Sequence, residues 1–244
     1  MKKTILASVI AAVAASTAFA AEHSTVRMGT EGAYPPYNFL NDAGEVDGFE
    51  REMGDELCAR AELTCEWVTN DWDSIIPNLV SGNYDTIIAG MSITDDRDEV
   101  IDFTQNYIPP AASAYAAAAD GADFEGGVVA AQTATIQAAH VAEGGATLLE
   151  FATPEETVAA VRNGEADAVF ADKDYLVPLV EASGGELMFV GDDVPLGGGV
   201  GMGLRESDTE MKEKFDAAID SMKEDGTLNE LITKWFGEDA KTYE

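Results

Sequence analysis

Two stretches of the chain, LVSGNYDTIIAG (79–90) and VRNGEADAVFAD (161–172), align without a gap. Each reads as a helix end, a glycine stop, an aspartate three residues after that glycine, and then an apolar, β-rich run. Gly82 matches Gly164, Asp85 matches Asp167, Ala89 matches Ala171 and Gly90 matches Asp172. One α-to-β unit is used twice, which predicts two similar lobes.

Strand and helix alternate on both sides of each copy. The first part reads as a strand at VRMGT (26–30), a helix over 49–61, a strand over 65–69, a helix over 73–81 and a strand over 85–90. The second reads as strands over 126–132, 146–152, 166–172 and 186–191, with helices over 136–144, 154–164 and 174–184 between them. Short β-runs between helices predict an α/β fold with parallel-rich sheets covered by helices. Prolines and glycines punctuate the pattern at 108–110 and 194–199, so the chain crosses between lobes twice. That places 25–109 plus 200–238 in lobe 1 and 112–195 in lobe 2. The helical stretches 208–224 and 227–236 have no strands of their own and are expected to return to the first lobe. Ligands of open α/β sheets collect outside the carboxyl ends of the strands, which puts Thr30, Gly90 and Asp172 at the edges of one cleft.

The first twenty residues carry two lysines, an apolar run and Ala18-Phe19-Ala20, the layout of a cleaved secretory signal peptide (1–20). No cysteine stands near the cleavage site to take a lipid, so export points to a bacterial periplasm. Without Lys2 and Lys3 the chain has 12 basic and 46 acidic residues, a formal charge of −34. Such a surface repels nucleic acid and anionic membranes and excludes both as partners. Cys58 and Cys65 stand alone, and in an oxidising compartment an isolated pair this close predicts a disulfide. The spacing is not CxxC and no histidine is near, so neither a redox nor a metal role follows.

Five blocks in order, GTEGAYPPYNF, GEVDGFEREMGDELCARAELTCEW, DSIIPNLVSGNYDTIIAGMSITDDRDEVIDFT, FADKDY and GMGLRESDTEMKEKFDAAIDSMKEDGTLNELITKWFG, resemble the periplasmic polar amino-acid-binding proteins of ABC importers. The lysine/arginine/ornithine- and histidine-binding proteins, family 3 solute-binding proteins, are the members most alike. The resemblance implies two α/β lobes joined by a two-stranded hinge (periplasmic binding protein type II-like) that close on one amino acid. It also implies an inner-membrane ABC permease as partner, a monomer, and no cofactor. On its own, Arg97 among Asp95, Asp96, Asp98 and Glu99 reads as a solvated ion pair. The resemblance implies instead that Arg97 clamps the ligand α-carboxylate through its bidentate fork. Asp172 would accept from the α-ammonium, with Ser92, backbone groups of Ala89 and Gly90, and Thr135 completing those contacts. Tyr34 and Trp72 match an aromatic pair against the ligand side chain. By default, Thr135 is an ordinary helix N-cap and Trp72 a packing residue.

Glu31 and Glu50 stand where basic-amino-acid binders more often carry aspartate. Two carboxylates in the cleft favour a cationic side chain, while Gly90 and AGMSIT look closer to the glutamine-binding branch. Glutamine, histidine and other polar solutes therefore stay open as ligands. A sensor module would use the same cleft. Some periplasmic dehydratases resemble this fold, and Glu31 with Glu50 could form an acid–base pair. Against an enzyme, His23 and His140 are the two histidines, and no nucleophile–histidine arrangement or nucleotide fingerprint occurs. The DDRDE cluster lacks the spacing of an EF-hand.

Overall fold

A computed structural model describes residues 25–244; the expected signal segment lies outside the described residues. The strands are β1 (Val26–Thr30), β2 (Ala33–Tyr34), β3 (Asn38–Leu40), β4 (Val46–Asp47), β5 (Cys65–Thr69), β6 (Thr86–Ile87), β7 (Asp102–Phe103), β8 (Ala112–Ala117), β9 (Val128–Gln132), β10 (Thr147–Phe151), β11 (Ala168–Asp172), β12 (Met188–Pro195) and β13 (Gly203–Leu204). The helices are α1 (Phe49–Arg60), α2 (Ile75–Val80), α3 (Asp95–Asp98), α4 (Ile136–Glu143), α5 (Pro154–Arg162), α6 (Lys173–Ala182), α7 (Thr209–Glu224) and α8 (Thr227–Phe236).

Two five-stranded sheets form the two lobes, in the orders β5-β1-β6-β13-β7 and β10-β9-β11-β8-β12, and a small sheet β2-β3-β4 adjoins the first. In each large sheet three strands pair in parallel, the fourth runs antiparallel to them, and the fifth pairs antiparallel to the fourth. Strands β8 and β13 occupy the same place, beside the third parallel strand, and each is reached just after the chain passes from one lobe to the other. The two passing segments meet: the Tyr107 N–H donates to the Val200 carbonyl at 2.8 Å, and the Val200 N–H donates to the Ile108 carbonyl at 3.0 Å.

The repeated unit keeps its local chemistry in both lobes. Gly82 and Gly164 take the left-handed conformation after α2 and α5, with φ 80 and 75, where a side chain would be strained. Asp85 accepts from the backbone N–H of Arg27 in β1 at 3.0 Å, and Asp167 accepts from that of Val128 in β9 at 2.7 Å. Each aspartate thus ties the entry of the third strand to the neighbouring parallel strand, which sets the register. Helix α5 carries a full capping box, Thr153 with Glu156, and Pro154 in its first turn.

Helix α1 buries Phe49, Met53 and Leu57, one face at helical spacing. Helices α7 and α8 pack on that helix, as expected from their lack of strands, burying Phe215, Ile219, Leu228 and Ile232. Cys58 and Cys65 form a disulfide between α1 and β5. No helix among the described residues is long and apolar enough to cross a membrane.

Some expected elements differ. The strand expected over 85–90 stops at Ile87; the Ile88 N–H still donates to the Gly29 carbonyl of β1 at 2.8 Å, and the chain then turns at Gly90 with φ 62. The helix expected over 73–81 begins as a single 3-10 turn, Trp72–Ser74. The alanine-rich strand β8 has few β-branched residues to mark it, and β12 runs on to Pro195 through a register shift between Val190 and Val194.

Candidate functional site

The carboxyl ends of β1, β9 and β11 lead directly to Glu31, Thr133 and Lys173, and the cleft opens there. A cavity between the lobes is lined by Glu31, Tyr34, Trp72, Ala89, Gly90, Ser92 and Arg97 from the first lobe. The second lobe contributes Gln132, Thr135, Ile136, Gln137 and Asp172.

Arg97 reaches the cavity from the one-turn helix α3, where Thr94 caps the backbone N–H of Arg97 at 3.3 Å. Its Nη1 donates to the Ser92 carbonyl at 2.8 Å and its Nη2 to the Ala134 carbonyl of the other lobe at 3.3 Å. The guanidinium lies over the Trp72 ring, 5.3 Å from its centroid. Among the described residues Arg97 makes no ion pair, so the acidic neighbours on its own helix do not neutralise it. Burial pulls its pKa down to about 10, with the charge of Asp172 acting the other way. It remains a cation at neutral pH, held by carbonyls and a ring.

Asp172 ends β11 and faces this cation from the second lobe. The Tyr34 hydroxyl donates to its Oδ2 at 2.9 Å, and Gln137 Nε2 donates to its Oδ1 at 3.0 Å. The Asp172 N–H returns a bond to the Tyr34 hydroxyl at 3.2 Å. Each carboxylate oxygen keeps a lone pair for a further donor. Burial pushes the pKa of Asp172 up to about 6; Asp174 adds to the rise, while Tyr34, Arg97 and Gln137 oppose it.

Glu31 also spans the cleft. Gln132 Nε2 donates to its Oε1 at 2.6 Å and to the Ala152 carbonyl at 3.0 Å, so the amide of the second lobe is fixed against the acid of the first. Burial pushes Glu31 up to about 7; the Gln132 bond opposes this, and the charges of Asp71 and Glu50 add to it. The Tyr34 ring stacks on Tyr175 of the second lobe at 4.4 Å between centroids.

Nine of the ten residues expected from the sequence line this one cavity: Glu31, Tyr34, Trp72, Ala89, Gly90, Ser92, Arg97, Thr135 and Asp172. The tenth, Glu50, does not. It lies fully buried behind the wall, in the first turn of α1, where Asn38, Gly90 and Tyr107 donate to its carboxylate. An acid so enclosed meets no ligand, and burial raises its pKa against the pull of those three donors. The pairing of Glu31 with Glu50 as a reacting acid and base fails for the same reason. Of the Gly90 backbone groups expected to meet a ligand, the N–H donates to Glu50 at 2.6 Å, leaving the carbonyl. Thr135 caps α4 by accepting from the Ala138 N–H at 3.1 Å and also lines the cavity.

Gln132 and Gln137 were missed. Gln132 closes β9, and the rule for strand carboxyl ends could have marked it. Gln137 is the second residue of α4, and nothing in the sequence separates it from an ordinary helical glutamine.

Residues 26–238 match the bacterial extracellular solute-binding proteins, family 3. The chain is 32% identical to the L-arginine-binding protein of Pseudomonas aeruginosa, over 98% of each chain. It is 30% identical to the lysine/arginine/ornithine-binding periplasmic protein of Escherichia coli, over 97% of each. A crystal structure of a periplasmic His/Glu/Gln/Arg/opine family-binding protein from Silicibacter pomeroyi in complex with lysine is 84% identical, with a TM-score of 0.89. That match covers 90% of this chain and 100% of the other. These relatives are binding proteins.

Proposed function

Since the chain belongs to the family 3 bacterial extracellular solute-binding proteins, we propose that it captures a basic amino acid, lysine first, in the cleft between its lobes. One observation carries the reading. The cavity presents one cation without an ion-pair partner, Arg97, and two carboxylates from opposite lobes, Asp172 and Glu31. A basic amino acid carries the complementary set: a carboxylate for Arg97, an α-ammonium for Asp172 and a side-chain cation for Glu31. The ligand's single net positive charge cancels the site's net negative one. A neutral amino acid would leave Glu31 without a charged partner. The lysine complex of the 84% identical relative supports the same choice.

Arg97 and Trp72 hold the ligand from the first lobe, while Asp172 contributes from the second. A ligand bridging the two favours the closed arrangement because it meets both sets of contacts only there. The segments paired at Ile108 and Val200 serve as the hinge between lobe 1 (25–109 plus 200–238) and lobe 2 (112–195). The closed receptor delivers its amino acid to an inner-membrane ABC permease after export by the segment 1–20. It acts as a monomer, without cofactor or turnover.

The test is a thermal-shift and calorimetric panel on residues 25–244, refolded free of ligand, with lysine, arginine, ornithine, histidine and glutamine. A ligand that binds the folded state raises the Tm with the logarithm of how far its concentration exceeds its Kd. Lysine is expected to raise it most and glutamine least; no shift with any basic amino acid would refute the assignment.

A further inference from the structure

Glu50 is an acid buried without a cation: among the described residues it forms no ion pair and has 0% of its surface exposed. An isolated buried carboxylate is strongly disfavoured unless donors converge on it, and here three do. The Gly90 N–H donates to Oε1 at 2.6 Å, Asn38 Nδ2 donates to Oε2 at 2.7 Å, and the Tyr107 hydroxyl donates to Oε1. Asn38 and Tyr107 are themselves buried, at 0% exposure.

Each donor belongs to a different working part. Gly90 is in the cavity wall. Asn38 uses its other end, Oδ1, to accept the Gly32 N–H at 2.7 Å, which fixes the turn that carries Glu31. Tyr107 lies in the segment that passes between lobes, its N–H bonded to Val200 of the returning segment. One carboxylate therefore ties the hinge to the two stretches of wall that carry Glu31 and Gly90.

Resting on the reading of the cavity as an amino-acid site, we propose that Glu50 is a positioning residue that couples lobe closure to ligand seating. When the hinge bends, Tyr107 moves with the crossing segments. The shared carboxylate then holds the Gly90 turn and the Glu31 turn in register with that movement. A wall packed by apolar side chains would fill the same space with no directional link to the hinge.

The experiment is a double-mutant cycle on lysine binding, with Kd by calorimetry and the Tm of the free protein measured in parallel. Tyr107→Phe removes the hinge link alone. Glu50→Gln keeps the Oε1 acceptor shared by Gly90 and Tyr107 but sets an amide NH2 against the NH2 of Asn38, which severs the link to the Glu31 turn. Tyr243→Phe is the control: Tyr243 bonds Asn106 in the same crossing segment at 2.8 Å and 2.7 Å without reaching Glu50. Tyr107→Phe is expected to weaken lysine binding about five-fold and Glu50→Gln about thirty-fold or more, the range for losing one buried bond or leaving one donor unmatched. In the Glu50→Gln background the tyrosine substitution should add less than about two-fold, since the path from the hinge through Asn38 to the Glu31 turn is already broken.

Independent, multiplying effects on Kd would overturn the coupling, as would variants that lower the free protein's Tm while Kd stays within two-fold. If Glu50→Gln does not fold, Tyr107→Phe against Tyr243→Phe decides: equal Kd values for the two reject the proposal. Failure of the wild type to bind any basic amino acid is a different result, which removes the reading of the cavity itself.

Discussion

Replacing Arg97 by alanine is the sharpest test of the cavity. In the free protein the guanidinium makes two bonds to carbonyls, at 2.8 Å and 3.3 Å, and lies over Trp72. It has no ion pair among the described residues to lose, and burial already lowers its pKa to about 10. The free protein's stability should therefore change by about 1 kcal/mol or less. In the complex the same truncation leaves the ligand carboxylate buried opposite nothing, a loss of about 3 to 5 kcal/mol. At about 1.4 kcal/mol per tenfold, Kd for lysine should rise by roughly two hundred- to several-thousand-fold. Arg97→Lys keeps the charge but not the planar fork, so it should lose about 1.5 to 3 kcal/mol. Calorimetry with lysine gives both affinities, and thermal melts of the free variants check that the fold is intact. A Kd within three-fold of wild type for Arg97→Ala would show that the carboxylate sits elsewhere.

If lysine pairs with Glu31 and Asp172 as proposed, its binding should depend on pH. Their pKa values, pushed up to about 7 and about 6, mean that the free folded protein holds protons that the unfolded chain releases near pH 4. The stability these two groups contribute is thus lost as pH rises from about 4 towards 7. A cationic ligand favours the ionised forms and expels those protons. The lysine-induced rise in Tm should be larger at pH 8 than at pH 5.5; an equal rise at both would remove these carboxyls from the contact. Glu31→Gln should weaken lysine by about tenfold or more while leaving glutamine within three-fold, so a uniform loss would contradict Glu31 as the side-chain partner. Replacing both Cys58 and Cys65 by alanine should lower stability by about 2 to 3 kcal/mol and Tm by several degrees. Because the bridge is away from the cavity, Kd for lysine should not move.

The gapless repeat made the two-lobe fold legible because its glycines and aspartates are constrained by backbone geometry. Gly82 and Gly164 must turn left-handed, and Asp85 and Asp167 must meet a backbone N–H of the neighbouring strand. Such local demands leave a mark in the sequence. Glu50 left no comparable mark, since an acid in a first helical turn is ordinary on dipole grounds. What makes it buried is the meeting of Asn38, Gly90 and Tyr107, three residues up to 57 positions away from it. Gln132 was hidden for the opposite reason: a neutral amide draws no attention until its partner across the cleft, Glu31, is in place.

The same cross-cleft bonds bear on how sharply the ligand controls closure. Tyr34 with Asp172, Gln132 with Glu31, and the Tyr34–Tyr175 stack join the lobes through protein atoms alone. Each contributes on the order of 1 kcal/mol, enough to give the closed arrangement some population of its own but not to lock it. The ligand's share lies in charges these bonds leave unmatched. Tyr34 and Gln137 solvate Asp172 without neutralising it, and Gln132 does the same for Glu31. Arg97 is held by carbonyls. A change from mostly open to mostly closed needs a difference of about 5.5 kcal/mol between the two states. The Asp172 pair completes only on closure, and closure buries the Arg97 and Glu31 pairs; together they are of the size to supply it.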